Sequence, residues 1–105
     1  MIYKSIEIYY DIASIPGCDG SNPEDPRAVP FRDDARELIT DALAKARLGT
    51  PEGAEIGMGE VNFGFEVRNC ELAEAMVRKA VQGTPFAGIR EIVHFEDTLE
   101  DLMIA

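Results

Sequence analysis

The chain has 105 residues, 20 Asp plus Glu against 10 Lys plus Arg, and a formal net charge of -10. That length holds one domain around one core, and an apolar share of 46% with a mean hydropathy of -0.11 excludes intrinsic disorder. An acidic field of this size repels phosphate backbones and anionic membranes and speeds encounter with basic surfaces, so the expected partner is a basic protein surface, with no direct nucleic acid and no membrane.

From Ile2 to Ile12, Ile6, Ile8, Tyr10 and Ile12 alternate with Tyr3, Ser5, Glu7, Tyr9 and Asp11, the pattern of a strand with one buried face. Residues 13–31 hold four of the six prolines and several Gly, Asp and Asn, which predicts a long irregular connection. Connections of that length are often functional. Asp34 and Glu37 then have capping-box spacing, and Ala35, Leu38, Ile39, Ala42 and Ala46 form an apolar stripe, predicting a helix that starts near Asp34 and is stopped by Gly49 and Pro51.

Ile56 and Met58 have one parity, while Val61, Phe63, Phe65 and Val67 have the other. A hairpin turning at "GMGE" explains the change, and one long bulged strand is the alternative. Asn69 is a predicted N-cap for a second helix with the stripe Leu72, Ala73, Met76, Val77 and Ala80, ended by Gly83 and Pro85. A last strand over 88–96 is predicted to point Ile89, Val93 and Phe95 inward and Arg90, Ile92 and His94 outward. The short tail at 97–105 carries Leu99, Leu102, Met103 and Ile104, which need cover.

The order β-α-β-β-α-β predicts a single α+β domain over 1–105, a ferredoxin-like sandwich with two helices on one face of an antiparallel sheet. The alternative is a three-stranded β-α-β-α-β layer in which the bulged strand stays whole. No secretory leader is legible, because Lys4, Glu7 and Asp11 interrupt the first apolar run, and the expected location is cytoplasmic.

Two cysteines, Cys18 and Cys70, and one histidine are too few for a disulfide framework or a Cys/His zinc site. The oxygen-rich loop fails the calcium pattern, with Glu24 at the glycine place and Pro30 at the last ligand's place. No metal or cofactor is expected. Cys70 at a helix start has a reason for thiolate character, but Glu71 opposes the anion and His94 belongs to the far sheet face. An open face with Tyr3 and Tyr9 resembles in outline the base-stacking sheet of RNA-recognition modules, yet Glu7 and Glu66 oppose phosphate and the basic residue of that signature is missing.

Two functional readings remain. In the leading one the chain is a small inhibitory or regulatory interaction protein that presents Glu24, Asp25, Asp33, Asp34, Glu37 and Asp41 to a basic surface, mimicking nucleic-acid charge, and forms a homodimer through Tyr3, Tyr9 and Ile92. In the other it is a small dimeric enzyme or ligand-binding domain with a pocket on the open sheet face, where His94 acts as a base among Glu7, Tyr9 and Arg90.

Overall fold

The computed structural model describes residues 2–98. In chain order they form β1 (Ile2–Asp11), a 3-10 turn at Ile12–Ser14, α1 (Ala28–Lys45), β2 (Gly49–Gly57), β3 (Glu60–Val67), α2 (Cys70–Val81) and β4 (Glu91–Thr98). The sheet order is β2-β3-β1-β4 and every neighbouring pair is antiparallel. Two crossovers are interleaved here: β1-α1-β2 leaves a one-strand gap that β3 fills, and β3-α2-β4 leaves one that β1 fills. This is the ferredoxin-like α+β sandwich, and the four separate strands exclude the three-stranded alternative.

Ile6, Ile8, Tyr10, Val61, Phe63 and Phe65 are fully buried against Ala28, Ala35, Ile39 and Leu43 of α1 and Ala73, Val77 and Val81 of α2. Alanines at these contacts let the helices lie close to the branched and aromatic side chains of the sheet. Tyr10 closes one end: its ring meets Phe31 edge-on at 5.3 Å and its hydroxyl donates to the Phe86 carbonyl at 2.7 Å.

The first helix begins at Ala28, six residues before the capping box expected at Asp34. Pro30 therefore lies in its first turn, where an absent N–H costs no hydrogen bond. The irregular connection ends correspondingly earlier. Its organiser is Asp25, only 1% exposed, whose carboxylate accepts from the Asp19 N–H at 2.7 Å and the Arg27 N–H at 3.0 Å. The stop of α1 also differs from expectation. Arg47, at φ 55, holds the left-handed position that follows the helix, with Arg47 N–H to Ala44 O at 3.1 Å and Leu48 N–H to Leu43 O at 2.9 Å. This is a Schellman closure with arginine where glycine is usual.

The hairpin at "GMGE" is present: Met58 and Gly59 turn with φ 54 and 80, the signs a type I′ turn requires. β2 carries a bulge as well, between Pro51 and Ala54. In α2 the Asn69 side chain accepts from Leu72 N–H at 2.9 Å, as the sequence predicts, but Leu72 itself is 57% exposed while Cys70 and Val81 are buried.

The largest correction concerns β4. It starts at Glu91, because residues 82–90 form a loop whose last N–H, that of Arg90, donates to Tyr9 O at 2.8 Å. Ile6 then pairs with His94 and Ile8 with Ile92, while Ser5 pairs with Phe95 and Glu7 with Val93. Ile92 and His94 accordingly face the helices, and Val93 and Phe95 face away, the reverse of the predicted parity; a shift of one residue is enough to exchange the faces. Asp97 and Thr98 belong to β4, and the rest of the expected tail, Leu99 to Ala105, lies outside the described residues. Among the described residues no helix is long and apolar enough to cross a membrane.

Candidate functional site

Both helices cover the same side of the sheet, and among the described residues no element packs on the other side. Cross-strand register assembles it in rows. Asp11 lies beside Glu60; Tyr9 lies between Asn62 and Glu91, with Glu55 beyond Asn62; Glu7 lies between Gly64 and Val93; Ser5 lies between Glu66 and Phe95; Tyr3 lies beside Asp97. The bulge in β2 brings Glu52 onto this face, where its carboxylate accepts the Tyr3 hydroxyl proton. The freed Glu52 carbonyl is taken by the Arg36 guanidinium from α1.

At one margin Arg90 clasps three of the carboxylates, Asp11 at 2.7 Å, Glu60 at 3.0 Å and Glu91 at 2.8 Å, and lies 5.3 Å over the Tyr9 ring. Its hydrogen bonds to Asp11 and Glu91 hold the guanidinium pKa above its usual range. Among the described residues the rows through Glu7 and Ser5 contain no such cation. Glu7 lies over Gly64, where an added Cβ would come within 2.7 Å of Oε1. Burial pushes the Glu7 carboxyl pKa up, and Glu52 and Glu55 push it further. The Tyr3 phenol pKa is raised chiefly by its hydrogen bond to Glu52. Beside this acidic centre runs an apolar margin of Val93, 42% exposed, and Phe95, 47% exposed, with Tyr3 edge-on to Phe95 at 6.2 Å.

The structure separates the residues of the predicted pocket. Glu7, Tyr9 and Arg90 share the open face, but His94 is on the helix side with Nε2 2.7 Å from Glu74 Oε1, and Glu74 is in turn paired with Arg78 at 2.8 Å. Arg90 is fully engaged in its clasp. Of the predicted self-association residues, Tyr3 and Tyr9 are on the open face, whereas Ile92 packs partly against the core. Cys70 is buried with Sγ 3.6 Å from Ser5 O, and burial raises its pKa, so its helix-start position does not yield a thiolate.

Of the predicted acidic set, Asp25 is withdrawn into the loop and cannot face a partner. Asp33 is exposed but paired with Arg32 at 2.9 Å, and Glu24, Asp34, Glu37 and Asp41 are exposed. Around them α1 also carries Arg36 and Lys45, which dilute the charge. No protein-family model, curated protein or solved structure matches the chain.

The denser acidic surface is thus the open sheet face, and Glu52, Glu55, Val93 and Phe95 are the members that sequence reasoning missed. Gly53 after Pro51 is the one signal of a bulge that would have placed Glu52 correctly. No three His, Cys, Asp or Glu side chains among the described residues are grouped to hold a metal ion. What the face can do is attract cations. Four strands about 4.8 Å apart and eight residues at about 3.3 Å each give the face a flat footprint of roughly 500 Å².

Proposed function

We propose that the protein is a non-catalytic interaction domain that docks a basic protein surface on the open face of its sheet, in an inhibitory or regulatory role. The observation that carries this reading is the sheet face away from both helices, where among the described residues Glu7, Glu52 and Glu55 lie together beside the Tyr3, Val93 and Phe95 margin. Lysine or arginine heads would meet the carboxylates while their aliphatic stems cover the apolar margin. Like charges disfavour packing the same face of two copies together, so a basic partner fits better than a homodimer there.

The test uses a partner recovered at low salt, released near 0.5 M where the Debye length is about 4 Å, identified, and titrated in pure form. Glu55→Lys and Phe95→Ser should each weaken binding by about tenfold or more, while neutralising Asp34, Glu37 and Asp41 together should change it less than about threefold. The reverse ranking would place the interface on α1 and overturn the proposal.

A further inference from the structure

The arginines divide unevenly. Arg27, Arg32, Arg36, Arg78 and Arg90 each have a carboxylate or carbonyl partner, whereas Arg47 and Arg68 have none among the described residues. Both line one groove of about 450 Å³ at the end of the sheet, together with Ala44, Gly49, Thr50, Glu66 and Val67.

The backbone holds this groove in place. Arg47 occupies the left-handed position after α1 at φ 55, a conformation costly for a residue with a side chain. Arg68 N–H donates to Leu48 O at 3.0 Å, tying the end of β3 to the residue after Arg47. Between them Gly49 leaves no space for a side chain, since a Cβ would be 2.8 Å from Glu66 O and 3.0 Å from Val67 Cγ1. Two forked cations can grip an oxyanion with several charge-assisted hydrogen bonds. Ala44 and Val67 offer an apolar wall, while the Glu66 carboxylate and the negative end of α1 oppose any anion and a dianion more than a monoanion, so the two guanidinium groups have less to overcome with a single carboxylate.

We propose that this groove binds the carboxylate of a small molecule with a short apolar stem, held by Arg47 and Arg68. The site is separate in mechanism from the basic-partner reading of the sheet face and stands or falls without it. The experiment is a titration of the full chain, labelled with 15N, with sodium butyrate, alongside sodium chloride at equal ionic strength and inorganic phosphate in its dianionic form. Arg47→Gly keeps the left-handed turn and Arg68→Gln keeps the stem length. Butyrate should give saturable millimolar shifts centred on Gly49, Thr50 and Arg68, and each variant should weaken them about tenfold with the rest of the spectrum unchanged. Non-saturating shifts, shifts reproduced by chloride, or shifts indifferent to both variants would overturn the site, and tighter binding of phosphate would overturn the ligand class.

Discussion

Replacing Arg47 with glycine should stabilise the protein although it removes an entire side chain. The left-handed conformation at φ 55 costs a non-glycine residue about 1.5 kcal/mol. Glycine removes that strain but adds about 0.7 kcal/mol of unfolded-chain entropy and gives up about 0.3 kcal/mol of cation at the negative end of the α1 dipole. Arg47 is exposed, so little packing is lost, and the sum is a gain of about 0.5 kcal/mol. For a chain of this size that raises the melting temperature by about 2–4 °C. Calorimetry or urea unfolding at matched salt reads it, with Arg47→Ala, which keeps the strain, as the control expected to show no gain. A loss of more than about 0.5 kcal/mol for the glycine variant would mean that the guanidinium contributes to folding, and the strain argument would fail.

Glu7→Gln should stabilise the protein at neutral pH. The folded carboxyl holds its proton more tightly than the unfolded one, so stability falls as pH rises through and above the ordinary glutamate range, and the advantage of glutamine should vanish below about pH 4; an advantage that grows on acidification would reverse the sign of the reasoning. Tyr10→Phe strands the Phe86 carbonyl that its hydroxyl serves, with an expected cost of about 1–1.5 kcal/mol in denaturant unfolding; a neutral result would mean that water replaces the hydroxyl. Cys70, buried and with a raised pKa, should react with a thiol reagent only as fast as the chain opens, whereas the partly exposed Cys18 should react first. Equal rates for the two would contradict the burial of Cys70.

Much of the fold was legible because local chemistry and tertiary position agree. Period-two alternation in β1, the Asn69 cap and the Met58-Gly59 turn each have one cheap conformation. Where the reading failed, two local solutions were nearly equal. Pro30 reads as a helix breaker but is harmless in a first turn, so α1 begins earlier than the capping-box spacing predicts. Residues 88–92 offer apolar groups at both parities, Ile89 and Ile92, and only the length of the preceding loop decides which one enters the strand. That single ambiguity put His94 and Ile92 on the wrong face and hid Val93 and Phe95. The acidic face was half visible for a related reason: β1 and β3 supplied Glu7 and Glu66, but the bulge that turns Glu52 onto it breaks the alternation on which such inference depends.

The interleaved crossovers also constrain how this chain can acquire its structure. β1 and β2, the strands of the first half, are not neighbours, and neither are β3 and β4; each half alone would be two strands with a vacant slot between them. The hairpin at Met58-Gly59 is the covalent link through which the halves fill one another's slots. Folding must therefore make its long-range pairings together, since neither half offers a stable stopping point. A cleavage at Met58, at 95% the most exposed large apolar side chain among the described residues, would leave two fragments that have little sheet apart and recover it by combining.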